Sequence, residues 1–338
     1  MEIVNISLSL YFCAISFVFG GDRNASFVKT KIVNTNCDAS TQLRSESINT
    51  RFECSVLCTG EAECRRYLYC TDSKQCILYK DGTNCMVPGQ SIGCSCFKKR
   101  IGYIDGNCVC PRGRYGSNCE KIITDCTHGK SLGMSSAPLT DILADIQPVL
   151  SPEPFEVLCT FGYGGWTIVF YRNQNCETGD FYKTLTEYED GFGANPVMNG
   201  WLGLTKWLYI LNGASKKMGT LIYTSDTAFC VNHYTQFRLG SKSEGYTFNC
   251  ASVTTRSCGD SLTGAINLNG MKFSALGSDY SWLSECVNRF RCGWWYSDTN
   301  SNCTRSLLTG TVDGSGTDVF WTDDLASSNI PKFQIKLQ

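Results

Sequence analysis

Cysteine is the residue type that most limits which folds are open to this protein, because 22 of the 338 residues are cysteines. In a reducing cytosol that density is unusual outside metal sites, whereas in an oxidising compartment it indicates a framework of disulfides. Zinc sites are a poor alternative, because the sequence has only two histidines and its CSC and CVC spacings lack the paired C-x-x-C pattern of zinc ribbons. We therefore expect a disulfide-rich protein of the secretory pathway.

The N-terminus, residues 1–20, is predicted to be a secretory signal peptide. An apolar run from Ile6 to Phe19 is short for a membrane span and is followed by Gly20 and Gly21. No later apolar run approaches membrane length, so we expect a secreted, extracellular protein without a membrane span. With a net charge of -1 the protein has no strong electrostatic attraction to nucleic acid, which is therefore not an expected partner.

The cysteines fall into three groups along the sequence. Six lie in residues 37–76, six in residues 85–119 and nine in residues 126–303. Removing Cys13 with the signal peptide leaves an odd number, which implies a free thiol or an intermolecular bridge. If the cysteines of each of the first two groups form disulfides only within their own group, the unpaired cysteine belongs to the last group. It would then offer a route to a disulfide-linked homo-oligomer.

The first cysteine group contains a pattern typical of a helix fastened to a strand. Cys54 and Cys58 stand four apart, so on a helix their side chains share one face, and the segment CILY follows as a strand. This arrangement resembles a PAN/apple-like module, which we place at residues 21–98. The resemblance implies the disulfides Cys54–Cys76 and Cys58–Cys64. Such modules bind proteins or sugars, and the alternative is a disulfide-stapled spacer.

The segment NCVCPRGRYGSNCE resembles the second half of an EGF-like module. Its two glycines supply the turn geometry that a small hairpin needs. The resemblance implies the disulfide Cys110–Cys119 and places the module at residues 99–122, with an alternative start near residue 85. The acidic residues with which such modules bind calcium are not evident here, so a spacer role is expected.

From Thr124 onward the composition becomes rich in aromatic residues and glycine. GGWTIVFYR alternates with a period of two and is predicted to be a strand, and TLIYTS is strand-like as well. Eight segments of this part of the sequence come in the same order as in a known domain family. They are FEVLC, GGWTIVFYR, DFYKTLTEYEDGFG, WLGL, GDSL, NGMKFSA, GWWY and CTRSLLTG. Together they resemble the fibrinogen C-terminal-like domain of ficolins, tachylectins, angiopoietins, tenascins and molluscan fibrinogen-related proteins, which we place at residues 123–338.

The expected fold class is therefore α+β, in a disulfide-rich, multi-domain secreted protein. It combines a PAN/apple-like helix-on-sheet module, a small EGF-like β module and a fibrinogen C-terminal-like globular domain with a central antiparallel sheet. The last resemblance implies the disulfides Cys126–Cys159 and Cys286–Cys303. Two further bridges and one spare thiol would account for the remaining cysteines, Cys176, Cys230, Cys250, Cys258 and Cys292.

Sugar-binding members of this family imply a ligand pocket around the second cysteine of the Cys286–Cys303 bridge. Carried over by position, the ligand-binding residues are Phe290, Tyr296, Asn302, Cys303 and Thr304, with a cis peptide at Asn302–Cys303. The spacer between Tyr296 and Cys303 is longer than is usual in the family, and Thr304 stands where lectin relatives often have His. The pocket rim is therefore expected to differ from theirs.

The tryptophans of GWWY are expected to belong mainly to the framework beneath this pocket. Trp294 and Trp295 carry large apolar surfaces that favour burial. Gly293 beside them is expected to permit close approach of the backbone. These residues would therefore support the ligand loops and not contact the ligand.

Calcium and glycans are the expected additions to the site. Relatives carry an acidic run after their FST segment, and here that run retains Asp279. With the backbone carbonyls of Ser281 and Leu283 it would form a degraded calcium site, because calcium takes about 6–8 oxygens, several of them anionic. Asn24 and Asn302 lie in N-glycosylation sequons. A glycan on Asn302 would block the pocket.

The motifs in the sequence do not indicate an enzyme. GDSL, Gly259–Leu262, matches the name motif of a lipase/esterase family, but no histidine follows His233 to activate Ser261 in that family's order. The sequence also lacks GxSxG, HExxH and P-loop patterns.

We therefore expect a secreted, lectin-like pattern-recognition protein of innate immunity that binds acetylated or other glycans, or cell-surface glycoproteins, through its fibrinogen-like domain. The alternative is an extracellular matrix, adhesion or signalling protein whose fibrinogen-like domain binds a protein receptor.

Overall fold

The computed structural model describes residues 27–30, 42–61, 63–80, 93–99, 102–104, 107–116, 119–137, 140–173, 180–193, 200–225, 228–278, 284–297, 303–310, 319–321, 330 and 332–338. These residues form two compact units that divide between Ile123 and Thr124, with Ile142–Ile146 grouped with the first. Several predicted features lie outside the described residues: the signal peptide, Asn24, Cys176, Asp279, Ser281, Leu283 and Asn302.

The first unit is built around the helix α1, Arg51–Gly60. Its strands are β1 Phe27–Thr30, β2 Gln42–Ser47, β3 Arg66–Cys70, β4 Gln75–Tyr79, β5 Cys94–Lys99, β6 Gly102–Ile104, β7 Asn107–Val109, β8 Arg114–Tyr115, β9 Lys121–Ile122 and β10 Ile142–Ile146. Five of them form an antiparallel sheet in the order β1-β5-β3-β4-β2.

Helix α1 begins at a capping box and lies on this sheet. The Thr50 hydroxyl accepts a hydrogen bond from the Glu53 backbone N–H, and the Glu53 carboxylate accepts one from the Thr50 backbone N–H. Cys54 and Cys58 are fully buried with Tyr67 and Leu78 of the sheet. The prediction that the two cysteines share one helix face is confirmed.

Disulfides fasten the first unit, and one of them corrects an expectation. Cys54–Cys76 and Cys58–Cys64 join as the PAN/apple resemblance implied. Cys70–Cys94 joins the first cysteine group to the second, so those groups do not close internally. The reason is the register of the sheet, because Cys70 of β3 lies directly opposite Cys94 of β5 with their Cα atoms 3.8 Å apart.

Two small hairpins follow, β6 with β7 and β8 with β9. Cys110 and Cys119 are joined across the second hairpin. Gly113 has φ +89°, and a Cβ atom there would lie 1.9 Å from the carbonyl oxygen of Asp145, so the position requires glycine. Assignment of these elements to the PAN/apple-like and EGF-like families stays a prediction.

The second unit contains four α-helices among its described residues: α2 Cys126–Ser131, α3 Leu185–Asp190, α4 Leu204–Leu211 and α5 Ser284–Phe290. Its strands are β11 Phe155–Thr160, β12 Trp166–Asn173, β13 Gly200–Trp201, β14 Lys216–Tyr223, β15 Phe229–Leu239, β16 Phe248–Asn249, β17 Val253–Arg256, β18 Phe273–Ser274, β19 Trp294–Trp295, β20 Ser306–Leu307, β21 Phe320–Trp321 and β22 Lys332–Leu337. The predicted strands in GGWTIVFYR and TLIYTS are confirmed as β12 and β14.

A central sheet organises the second unit in the order β11-β12-β22-β14-β15-β16. The last strand of the sequence, β22, lies in the middle and pairs antiparallel with both β12 and β14. Cys126–Cys159 and Cys230–Cys258 are disulfide-bonded in this unit. Among the helices of the described residues, none combines the length and apolar character needed to cross a membrane.

Candidate ligand-binding face

Cys303 is held between helix α5 and the end of β19. Its disulfide to Cys286 of α5 brings the two Cα atoms to 5.9 Å. Its carbonyl oxygen accepts a hydrogen bond of 2.7 Å from the Ser297 backbone N–H. Cys303 has φ +63°, a left-handed conformation that is uncommon for a residue other than glycine and that recurs at ligand sites.

The aromatic residues predicted to wall the pocket point into the protein. Phe290 is 7% exposed and Tyr296 is 0% exposed. Their rings stack with centroids 6.0 Å apart, and the centroid of the Phe290 ring is also 6.0 Å from that of the Phe320 ring. The structure therefore brings Phe290, Tyr296 and Cys303 into one neighbourhood, but the two rings fill the core beneath it.

Thr304 is likewise engaged by its own neighbours in the sequence. Its hydroxyl donates to the Ser306 carbonyl oxygen at 2.8 Å and accepts from the Ser306 backbone N–H at 3.2 Å. The side chain is buried. Its hydroxyl therefore shapes the turn into β20, and a ligand would have to displace these bonds to reach it.

A buried thiol lies under the same neighbourhood. Cys292 is fully buried, and its Sγ is 3.3 Å from the Tyr296 hydroxyl, which donates to the Cys292 carbonyl oxygen at 2.9 Å. Burial raises the pKa of Cys292 to about 11 and raises the pKa of Tyr296 well above its ordinary value. Both groups are therefore neutral at physiological pH, and the thiol is unreactive.

The described free thiols bear on the expected disulfide-linked homo-oligomer. They are Cys250 and Cys292, and both are buried. Burial also raises the pKa of Cys250, to about 12. Neither thiol is placed to reach a second molecule without local opening, so neither supports the expected intermolecular bridge.

Arg172 is a residue of this region that the sequence reasoning missed. It is 1% exposed, and its Nη1 donates to the carbonyl oxygens of Leu308, at 3.2 Å, and Gly310. Its guanidinium lies 4.5 Å from the centre of the Phe181 ring. Arg172 thereby ties strand β12 to the segment that follows β20.

The charge of Arg172 is isolated in the described part of the protein, where no carboxylate forms an ion pair with it. Burial lowers the pKa of its guanidinium to about 10, so it stays protonated at neutral pH. The alternation in GGWTIVFYR could have predicted that Arg172 is buried, because a period of two puts it on the same face as the core residue Phe170.

The framework role predicted for the tryptophans is confirmed. Trp294 and Trp295 are each 1% exposed. Gly293 is the close-approach residue, since a Cβ atom built on it would lie 2.6 Å from the ring of Tyr188. The Tyr188 hydroxyl also accepts a 2.9 Å hydrogen bond from the Gly293 backbone N–H.

Replacing Gly293 by alanine is expected to lower the free energy of unfolding by about 1–3 kcal/mol, because the added methyl group overpacks a buried ring. Chemical denaturation of the secreted protein measures this. Gly213→Ala is the control for an added methyl group, since nothing lies within 4 Å of a Cβ atom at that position. Its φ of +70° is unfavourable for alanine, so this variant also loses stability, through backbone strain and not through overpacking. A Gly293 variant as stable as the parent protein would contradict the close approach.

An exposed surface is formed by Tyr182 and the C-terminal end of α5, the helix to which Cys303 is disulfide-bonded. Asn288, Arg289 and Arg291 are exposed. The Tyr182 hydroxyl donates to the Asn288 side-chain oxygen at 3.3 Å, and the Arg291 guanidinium lies 5.2 Å from the centre of the Tyr182 ring. We call Tyr182, Asn288, Arg289 and Arg291 the α5 face.

The GDSL motif, which was rejected as an enzyme site, and the expected calcium site are the two other sequence features to compare with the structure. The GDSL motif is a buried turn, in which Ser261 is 1% exposed and Asp260 accepts hydrogen bonds from the Tyr234 hydroxyl and the Thr263 N–H. Within the described ranges no three His, Cys, Asp or Glu side chains are grouped to hold a metal ion. The expected calcium positions lie outside those ranges.

Comparison with protein families gives one match over most of the sequence. The family described as "Fibrinogen beta and gamma chains, C-terminal globular domain" matches residues 122–337.

Among curated proteins, the chain is 26% identical over 192 residues to the fibrinogen gamma chain of Xenopus laevis, covering 51% of this chain and 42% of that protein. It is 32% identical over 152 residues to mouse tenascin-N, covering 43% of this chain and 9% of that protein. Rat angiopoietin-2 is 25% identical over 149 residues, covering 43% of this chain and 29% of that protein. The chain thus spans less than half the length of each of these relatives.

Solved structures share the fold of the second unit. The fibrinogen-like globe domain of human ANGPTL6 superimposes with a TM-score of 0.55 at 22% identity, covering 64% of this chain and 96% of that one. A lamprey fibrin D-dimer complexed with the peptide ligand Gly-His-Arg-Pro-amide gives a TM-score of 0.52 at 19% identity, covering 63% of this chain and 72% of that one.

Proposed function

Because the protein belongs to the family of the C-terminal globular domains of fibrinogen beta and gamma chains, we propose that it is an extracellular, non-enzymatic binding protein that recognises a protein ligand through its α5 face. The many disulfides favour an oxidising, extracellular location. The role that we propose for this recognition is in the extracellular matrix, in adhesion or in signalling.

The observation that carries this proposal is the composition of the α5 face. Arg289, Arg291 and Tyr182 lie on or against the C-terminal end of α5, the helix to which the constrained residue Cys303 is disulfide-bonded. Tyrosine and arginine are enriched in the hot spots of protein–protein interfaces. The Tyr182 ring and the Arg291 guanidinium are already stacked, so less side-chain entropy is lost on binding.

A peptide ligand has a counterpart among proteins of the same fold, in the peptide-complexed lamprey fibrin D-dimer. Recognition of acetylated glycans has less support among the described residues. It requires open aromatic walls at Phe290 and Tyr296, and both rings are buried. The degraded calcium site and the glycans on Asn24 and Asn302 remain proposals of the same kind, to be tested by chelation and by deglycosylation.

The test is binding of the full secreted protein to intact cells that have been treated with protease or with glycosidases. A protein ligand predicts that protease abolishes binding and that glycosidases leave it intact. Reversing two charges, Arg289→Glu with Arg291→Glu, should weaken the apparent Kd at least tenfold. Lys130→Glu, an exposed cation on α2, is the control and should bind like the parent protein.

The opposite pattern would overturn the proposal. Loss of binding after glycosidase treatment, together with inhibition by N-acetylated sugars, would instead support the lectin interpretation. Equal binding by the double arginine variant would place the ligand away from the α5 face.

A further inference from the structure

Three neighbouring strands of the central sheet carry charge of a single sign. Every charged residue of β14, β15 and β22 is basic: Lys216, Lys217, Arg238, Lys332 and Lys336. The whole protein has a net charge of -1, so this imbalance is local. Lys216 is neutralised by Asp125, whose carboxylate lies 2.8 Å from its Nζ atom.

The register of the sheet collects the other four cations on one side. Lys336 and His233 lie on either side of Gly219, and Lys332 lies beside Tyr223. Since residues alternate between faces along a strand, Lys217, Gly219 and Tyr223 project to the same side. We call Lys217, His233, Arg238, Lys332 and Lys336 the cationic face.

Arg238 joins this face at its far end. Phe237 is buried opposite Lys216, and the residues that follow them, Arg238 and Lys217, are both exposed. They therefore project away from the side on which Phe237 is buried. Because the strands are antiparallel, the two exposed cations Lys217 and Arg238 thus lie diagonally across the Lys216–Phe237 pair on neighbouring strands.

The positive charge of this face is balanced incompletely. In the part of the protein that the structure describes, none of its four lysine and arginine side chains forms an ion pair with a carboxylate. The nearby Asp141 carboxylate accepts hydrogen bonds from the Thr160 hydroxyl and the Gln334 side-chain amide. It is the one carboxylate that acts on both Lys332 and Lys336 among the described residues, and it offsets only part of the charge of the face. Burial, Lys336 and Lys217 lower the pKa of His233, in keeping with an excess of positive charge.

Aromatic rings are interleaved with these cations. The His233 ring stacks on Trp166 at 5.1 Å, and the Lys336 ammonium also lies 5.1 Å from the Trp166 ring. The Lys332 ammonium lies 4.5 Å from the ring of Tyr223, which contacts Phe229 at 5.8 Å. Phe229 is 44% exposed, so part of this aromatic surface faces solvent.

We propose that the cationic face binds a sulfated polysaccharide. The exposed Lys217 and Arg238 and the partly exposed Lys332 match the sulfates, whereas Lys336 is 5% exposed and contributes only its charge. The exposed ring of Phe229 matches the apolar face of a sugar ring. The ligand has to be extended, because Lys217 and Tyr223, which lies beside Lys332, are six positions apart along β14, a distance of about 20 Å. An acidic peptide fits less well, since peptides commonly add to a sheet edge through their backbone, whereas these cations lie on strands inside the sheet.

The test is titration of the full protein with size-defined heparin fragments, with unsulfated polysaccharide of matched length as the control ligand. The double charge reversal Lys217→Glu with Arg238→Glu should weaken the Kd for heparin at least tenfold. Arg289→Glu with Arg291→Glu changes the net charge equally on the α5 face and should leave that Kd unchanged. Binding should weaken steeply as salt is raised.

Three outcomes would overturn the proposal. The first is unchanged heparin affinity in the Lys217 and Arg238 variant. The second is an equal loss in the α5-face variant, which would mean that heparin responds to net charge only. The third is poly-glutamate binding as tightly as heparin, which would assign the face to acidic peptides. Thermal melting of each variant establishes that it is folded, so that a loss of affinity reports on the surface.

Discussion

Truncating Trp295 to alanine is expected to lower the free energy of unfolding by about 3–5 kcal/mol. The ring is 1% exposed and meets the aromatic rings of Phe273 at 4.9 Å and Phe248 at 5.6 Å. Its Nε1 donates a 2.7 Å hydrogen bond to the Tyr246 carbonyl oxygen. Truncation would therefore leave a cavity and also remove the partner of a buried carbonyl group.

Urea unfolding followed by near-ultraviolet circular dichroism measures this loss, with disulfides kept oxidised. Tyr163→Ala is the matched control, because that aromatic side chain is 58% exposed and its removal should change stability by about 0.5 kcal/mol or less. If the Trp295 variant were as stable as the Tyr163 variant, the ring would not belong to the core. The tryptophans would then have to be reconsidered as part of a ligand site.

Removing the Cys286–Cys303 bridge, by replacing both cysteines with serine, is expected to cost stability and ligand binding together. The two residues are separated by 17 positions, and opening a loop of that size costs about 3 kcal/mol through the entropy of the unfolded polypeptide. Binding should fall because Cys303 would no longer be held in its left-handed conformation beside α5. The measurements are urea unfolding and the apparent Kd on intact cells.

A second disulfide in the same unit separates these two effects. Cys230 and Cys258, 28 positions apart, join the central sheet to the segment after β17. Replacing both with serine should lower stability by a similar amount and leave ligand binding intact. If both pairs of substitutions reduced binding equally, the loss would reflect general destabilisation, and the role assigned to Cys303 would be wrong.

Local patterns in the sequence predicted local structure well. The spacing of Cys54 and Cys58 predicted one buried helix face, and alternation in GGWTIVFYR predicted β12, because both patterns depend on neighbours within a few residues. The place of β22 between β12 and β14 could not be read this way, since it depends on strands more than a hundred residues earlier. The Cys70–Cys94 bridge was missed for the same reason, because sheet register decides it.

At the candidate site, too, local features could be predicted from the sequence and long-range contacts could not. Sequence reasoning placed Phe290, Tyr296 and Cys303 near one another, and they are. It could not show that the two rings point inward, because that depends on Phe320 from a separate strand. Nor could it find the partners of Arg172, which are carbonyl groups 136 and 138 positions away.

The central claim, that the α5 face contacts a protein ligand, is tested most directly by photo-crosslinking from position 289 on intact cells. A photoreactive residue in place of Arg289 should form an adduct with a protein, and the adduct should persist after glycosidase treatment. The same residue in place of Lys130 should form none. Equal crosslinking from both positions, or an adduct from position 289 that glycosidases release, would contradict the account.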